Sequence, residues 1–101
     1  MSIRHDTIQL LRSFNAPERM KGYTYFLDAI EMIDRDTSFL LTLQEMYELI
    51  ADNRNVTAES VRKAIERFVE RVWIKTSLKR RPTNQEFMSY IYITMLRQKI
   101  Q

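Results

Sequence analysis

The sequence has no cysteine, one glycine, two prolines and one histidine among its 101 residues. The absence of cysteine excludes a disulfide framework and a thiolate metal site. Because glycine and proline are scarce, the chain has few of the residues that hairpin turns require. No segment alternates apolar and polar residues with a period of two, as a half-buried strand would. These absences predict an all-α protein.

The hydrophobic content sets further limits on the class of protein. It amounts to 45% of the residues, which is enough for one compact core, and we predict a single domain over residues 1–101. No run of apolar residues is long enough to cross a membrane, and the N-terminus lacks an apolar signal stretch. We therefore expect a soluble, cytoplasmic protein.

Residues that commonly carry catalysis are sparse. The histidine, His5, lies in a stretch near the N-terminus where helices fray, and the chain has no glycine-rich phosphate loop. Asp34 and Asp36 have the chemistry to bind a cation, but two carboxylates at a helix end are far more often solvated. We expect no enzymatic activity, no cofactor and no metal site.

Residues 42–55 predict a helix that ends in a tight turn. Thr42 and Glu45 have the spacing of a capping box, which satisfies free backbone N–H groups at a helix start. The apolar pattern continues to Ala51 and stops at residues 52–55, where Asn55 tolerates the left-handed conformation that a tight turn needs. These features predict the first half of a helix-turn-helix.

A second helix is predicted to begin directly after this turn. Thr57 is a suitable N-cap, and Val56 and Val61 are spaced as a hydrophobic staple. Ala51, Asn55 and Val61 have the spacing that is usual in a helix-turn-helix, which we place at about residues 43–73.

The second helix is predicted to have an apolar face and a charged face. The apolar arc contains Val61, Ala64, Ile65, Phe68, Val69, Val72 and Trp73. Outside it fall Glu59, Arg62, Lys63, Glu66, Arg67 and Glu70. In an arbitrary amphipathic helix such a charged face is usually only a solvated surface with ion pairs between turns. The preceding capped helix and four-residue turn favour a helix that reads the major groove.

Charge is distributed unevenly along the chain. From residue 57 onwards there are ten Lys or Arg and four Glu, a balance of +6, whereas the first 56 residues hold six basic and nine acidic residues, a balance of −3. A cationic half attracts a polyanion and releases its counterions on binding. Four cations directly after the second helix are candidates for contacts to the DNA backbone, although a plain solvated loop would look the same: Lys75, Lys79, Arg80 and Arg81.

The remaining helices follow from local patterns. Asp6 or Thr7 is a candidate cap for a short first helix, and residues 23–33 carry apolar side chains on one face. Thr83 and Glu86 form another capping box, before a last helix that carries Phe87, Ile91 and Met95. In total we predict five or six helices.

Two specific signatures are the KGYxY run at residues 21–25 and the PTNxEF run at residues 82–87. With them, about residues 10–97 resemble a known family, the DNA-binding C-terminal domain of the sporulation response regulator of spore-forming Firmicutes. Other positions at similar spacing are Pro17, Ala29, Ile30, Tyr47, Ile50, Ala51, Asn55, Thr57, Ala58, Val61, Ala64, Ile65 and Trp73.

The resemblance implies an all-helical domain of five or six helices that contains a helix-turn-helix. It implies binding to short promoter boxes, often as head-to-tail pairs on tandem sites, and contact with the RNA polymerase sigma subunit. The family's full regulator has a receiver domain that is phosphorylated on aspartate, and the 101 residues contain no counterpart of it.

The sequence departs from the family pattern at two places. Where the family usually has a Glu-Arg pair and a second Arg three residues on, this chain has Arg62, Lys63 and Glu66. Because Arg favours guanine and Glu accepts from cytosine, the exchange predicts a different DNA box. The connection over residues 73–82 is also shorter than in the family, so the resemblance does not extend to sigma contact or pairing through that segment.

The sequence therefore predicts a sequence-specific, DNA-binding transcriptional regulator. We expect Thr57, Glu59 and Ser60 at the start of the recognition helix, with the two hydroxyls against phosphate, and Arg62, Lys63, Glu66 and Arg67 at base edges. The alternative is a small protein-interaction module or antagonist that kept the fold but lost DNA recognition. The mixed charge of the recognition face favours that alternative.

Overall fold

The computed structural model describes residues 2–100, which form five α-helices and two short 3₁₀ helices. The α-helices are α1 (Ile3–Ser13), α2 (Lys21–Arg35), α3 (Leu43–Arg54), α4 (Ala58–Val72) and α5 (Asn84–Ile100). The 3₁₀ helices span Thr37–Leu41, before α3, and Trp73–Lys75, after α4. The predicted all-α class is confirmed, with α3 and α4 forming the helix-turn-helix.

Helix α2 lies at the centre of the domain and packs against each of the other four α-helices. Phe26, which is fully buried, carries this central packing: its ring centroid lies 5.4 Å from that of Phe68 on α4 and 5.6 Å from that of Phe87 on α5. Tilted aromatic pairs at such separations stabilise a core beyond the burial of their area. One aromatic cluster thus fixes α4 and α5 relative to α2.

The turn of the helix-turn-helix has the predicted geometry. Asn55 adopts a left-handed conformation with φ of 58°, and the N–H of Val56 donates to the carbonyl oxygen of Ala51 at 3.0 Å. The Thr57 hydroxyl then accepts from the N–H of Ser60 at 3.1 Å and caps α4. These bonds satisfy backbone groups left free where one helix stops and the next begins.

One predicted cap is in place without its side-chain hydrogen bond, and another is wrong. Thr42 precedes α3, but its hydroxyl donates back to the carbonyl oxygen of Ser38, because a 3₁₀ helix runs directly into this position. Helix α1 starts at Ile3 with Ser2 as its cap, so neither Asp6 nor Thr7 is at its start. The chain can make an earlier turn there because the Ser2 hydroxyl accepts from the N–H of His5.

The entry into α5 is the predicted capping box. The N–H of Thr83 donates to the carboxylate of Glu86 at 2.8 Å, and the N–H of Glu86 donates to the Thr83 hydroxyl at 3.1 Å. Pro82, directly before the box, is buried. Among the helices of residues 2–100, none has the length and apolar character to cross a membrane.

Candidate nucleic-acid interface

Helix α4 is held firmly by its apolar face. Val61, Ile65, Phe68, Val69 and Val72 are all buried, as predicted, whereas Ala64 and Trp73 are only half-buried at the edges of this face. The opposite face is therefore fixed in orientation, and its side chains are presented from a rigid element.

Gly22, in the first turn of α2, lies against the backbone of α4. A Cβ atom added to Gly22 would lie 2.1 Å from the carbonyl oxygen of Ala64 and 2.8 Å from Cβ of Phe68. Only glycine fits such a crossing. The ring of Tyr23, next in sequence, packs edge-on against Phe68 with centroids 5.8 Å apart. The N-terminus of α2 thus fixes the middle of α4.

The outward face of α4 carries most of the predicted base-reading side chains. Lys63, Glu66 and Arg67 are exposed, and Arg62 is half-buried at the edge of this face. Glu59 and Ser60 are exposed in the first turn, beside the exposed cap residue Thr57. Seven predicted site residues therefore lie on one continuous surface.

Arg62 is engaged by a carboxylate of its own helix. Its Nε donates to Oε1 of Glu59 at 2.7 Å, one turn earlier on α4. This hydrogen bond, together with the charge of Glu59, raises the pKa of the Arg62 guanidinium above its ordinary value. Arg62 is thus fully charged, and its guanidinium already has a partner.

The basic segment after α4 divides into paired and unpaired cations. Arg81 Nη1 lies 2.9 Å from a carboxylate oxygen of Glu70, and Arg80 lies 3.7 Å from Glu86. The Arg80 side chain is 85% exposed against 47% for Arg81, so only Arg81 is drawn onto α4. Within residues 2–100, neither Lys75 nor Lys79 makes an ion pair.

Sequence reasoning missed Arg71 as a site candidate. It is exposed in the last turn of α4, and no carboxylate of residues 2–100 pairs with it. Its place four residues after Arg67, on the same side of a helix, was a signal that could have found it.

A cleft of about 670 Å³ runs beside α4, between the start of α3 and the start of α5. Arg62 and Arg81 line it together with Glu66. At one wall the side-chain amide of Asn84 donates to the phenolic oxygen of Tyr47 at 3.1 Å and to the carbonyl oxygen of Arg62 at 3.3 Å. Burial raises the pKa of the Tyr47 phenol. The cleft lies between α3, α4 and α5, and it was not predicted from the sequence.

The turn between α3 and α4 is tied to α2 by an ion pair. Arg54 reaches both carboxylate oxygens of Asp28, each at 2.8 Å, and Arg4 of α1 approaches the same carboxylate at 3.2 Å. Such two-pronged pairs fix geometry as well as charge. Arg54 stands where a helix-turn-helix commonly has an apolar residue, and the structure gives it this orienting role.

A comparison with protein families decides the classification. Residues 7–95 match the family described as sporulation initiation factor Spo0A C terminal. The chain belongs to this family. The Spo0A C-terminal family comprises DNA-binding effector domains. Among residues 2–100, no group of three or more His, Asp or Glu side chains is placed to hold a metal ion.

Residues of the two sequence signatures pack around α4. Gly22 and Tyr23 of the first signature pack against α4, and Tyr25 is buried. In the second signature, Asn84 bridges α3 and α4, and Phe87 lies in the core. Both signatures therefore contribute to the packing that holds α4 in place.

Proposed function

We propose that this chain is a sequence-specific transcriptional regulator that reads the major groove with α4. The observation that carries the proposal is the outward face of α4, where Lys63 and Arg67 are exposed on a helix that α2 holds rigidly. An α-helix fits into the major groove, and side chains near its N-terminus reach the base edges. Membership of a DNA-binding family supports the same function.

Each group of residues has a separate role in this proposal. Arg62, Lys63, Glu66 and Arg67 contact base edges, and Arg71 contacts the backbone at the end of the helix. Thr57, Glu59 and Ser60 lie at the N-terminus of α4, where backbone N–H groups and the Ser60 hydroxyl bind a phosphate. Four cations of the segment after α4 hold the DNA backbone: Lys75, Lys79, Arg80 and Arg81.

The proposal also includes the arrangement on a promoter. We propose that residues 1–101 act as one domain, with the helix-turn-helix at residues 43–73, and that two copies bind side by side on tandem sites. Contact with the RNA polymerase sigma subunit would turn DNA binding into regulation. Sigma contact would have to use a surface other than an extended segment before α5, because residues 73–82 are short.

A selection from a random duplex library at near-physiological salt tests the proposal. A recovered motif is the expected result, and it should differ from the family's box at the positions read by Arg62, Lys63 and Glu66. A Lys63→Ala, Arg67→Ala double variant serves as the matched control, since both side chains are exposed and their loss should not affect folding. Recovery of no motif with the unchanged chain would contradict sequence-specific binding.

A second candidate function is docking to a protein, which the three exposed carboxylates on α4 favour: Glu59, Glu66 and Glu70. Carboxylates repel a polyanion, and they would suit a basic protein surface. Salt dependence separates the two functions. Affinity for duplex DNA should fall steeply with salt concentration if the chain binds phosphates, whereas a protein-docking module should show no such salt-sensitive DNA binding.

A further inference from the structure

The two arginines that line the cleft beside α4 are both held by carboxylates of α4 itself. Arg62 bonds to Glu59 at 2.7 Å, and Arg81 lies 2.9 Å from Glu70. Other cations of this surface have no such partner among residues 2–100, and they are Lys63, Arg67, Arg71, Lys75 and Lys79.

Paired and unpaired cations act differently towards DNA. An unpaired Lys or Arg neutralises a phosphate, which releases a counterion from the duplex. An arginine that brings its own carboxylate adds no net positive charge, so a phosphate has to displace that carboxylate first. The displaced carboxylate then remains beside the polyanion and is repelled by it.

Resting on the proposed DNA-binding function, we propose that Glu59 and Glu70 are specificity-determining residues that compete with phosphate for Arg62 and Arg81. On an unrelated duplex, each guanidinium stays with its glutamate and contributes little affinity. On the correct site, Arg62 gains a two-pronged contact to guanine, and the released Glu59 accepts from the amino group of cytosine. Arg81 is released from Glu70 when α4, bound in the major groove of the correct site, brings a backbone phosphate into the cleft.

The two ion pairs control different contacts to DNA. Glu59 and Arg62 are one turn apart on α4, so this pair sets which base edge is read. Glu70 and Arg81 join α4 to the segment that leads into α5, so this pair controls a contact to the backbone. Glu59 therefore acts on discrimination at one base position, whereas Glu70 lowers affinity for those duplexes on which α4 does not settle fully into the groove.

Fluorescence anisotropy with a fixed, unrelated duplex at several salt concentrations tests the proposal. Glu59→Gln and Glu70→Gln should each raise affinity about two- to fivefold, the range expected when a surface ion pair is lost. Each should also steepen the dependence of log affinity on log salt by about 0.9, because one more cation neutralises a phosphate. Affinity for the selected site should rise less, so the ratio of specific to non-specific affinity should fall.

Glu48→Gln is the matched control. Glu48 is exposed on α3 and, within residues 2–100, makes no ion pair, so this variant removes the same charge without releasing an arginine. An equal gain in affinity from Glu48→Gln and Glu70→Gln would overturn the proposal, because the effect would then come from net charge alone. Unchanged or weakened binding by Glu70→Gln would overturn it as well.

The same comparison in an Arg81→Ala chain tests whether Glu70 acts through its ion pair with Arg81. In an Arg81→Ala chain, Glu70→Gln should gain no more affinity than Glu48→Gln, because no arginine remains to be released. If the gain persists in that background, Glu70 does not act through Arg81. Absence of salt-dependent duplex binding by the unchanged chain would reject the proposed function itself, and that result is seen before any variant is compared.

Discussion

The side-chain amide of Asn84, in the first turn of α5, donates to the phenolic oxygen of Tyr47 on α3 at 3.1 Å. Because the same amide also reaches the backbone of α4 at Arg62, one residue joins three helices at the edge of the interface. The PTNxEF signature is thus explained by the packing of α5 against the helix-turn-helix.

Asn84→Ala is expected to destabilise the domain by about 0.5–1.5 kcal/mol, since it removes the donor to the partly buried Tyr47 hydroxyl and Arg62 carbonyl oxygen. Urea unfolding followed by circular dichroism measures this loss. Tyr47→Phe and the Tyr47→Phe, Asn84→Ala double variant complete a double-mutant cycle. The losses of unfolding free energy from the two single variants should not add, because both variants remove the same hydrogen bond. Unchanged stability in Asn84→Ala would contradict the structural role assigned to this residue.

Gly22→Ala is expected to destabilise the domain even though alanine favours helices. The intrinsic gain is about 1 kcal/mol, while overpacking of a tight contact costs about 1–3 kcal/mol or more. The clash at 2.1 Å is with a backbone oxygen of α4, which cannot rotate away. Thermal unfolding provides the measurement, and Lys21→Ala, at an exposed neighbouring position, is the control. A Gly22→Ala protein with a higher melting temperature would refute the close crossing.

Glu86 should make stability depend on acid pH. Its pKa lies below the ordinary value of 4.5, chiefly because its carboxylate accepts from the N–H of Thr83. A carboxyl with a lowered pKa in the folded state stabilises the fold above the unfolded pKa, and this contribution is lost as pH falls through the folded pKa.

Glu86→Gln keeps a side chain that can complete the capping box but cannot titrate. The difference in unfolding free energy between the two proteins should therefore shrink as pH falls from about 6 to about 2, and denaturant titrations at several pH values measure it. A difference that is constant over this range would show that the cap is not linked to ionisation of Glu86.

Arg62 and Arg80 should affect DNA binding in different ways. Arg62→Ala is expected to relax preference at one base pair, at a cost of about 1–3 kcal/mol on the selected site. Arg80→Ala should weaken binding to all sequences evenly and flatten the salt dependence, because Arg80 lies outside the recognition helix and is proposed to contact only phosphate. Titrations with the selected duplex and single-base variants compare them. Equal loss on every duplex from Arg62→Ala would exclude a role in base reading.

Local patterns predicted much of the fold. Thr57 and Thr83 act as caps because their partners lie three residues away, within reach of the same turn. Thr42 is the N-cap of α3 but makes no capping hydrogen bond, because its hydroxyl bonds to the preceding 3₁₀ helix, which short apolar patterns do not reveal.

The site was less predictable because its geometry depends on contacts between distant residues. The pair of Arg54 with Asp28 spans 26 positions, and the bond of Asn84 to Tyr47 spans 37. The helical spacing of apolar residues predicts which face of α4 is exposed. It does not predict which arginines on that face form ion pairs with glutamate. Arg62 and Arg81 were therefore predicted as contacts without their carboxylate partners.

The most direct test of the DNA-reading role of α4 is amide chemical-shift mapping of the uniformly ¹⁵N-labelled chain during titration with the selected duplex. The account predicts the largest changes at residues 57–71 and 75–81, with smaller changes in the core of α2. Large changes confined to α1, or to the exposed face of α3, would contradict it, because the DNA would then be bound by a surface other than the recognition helix.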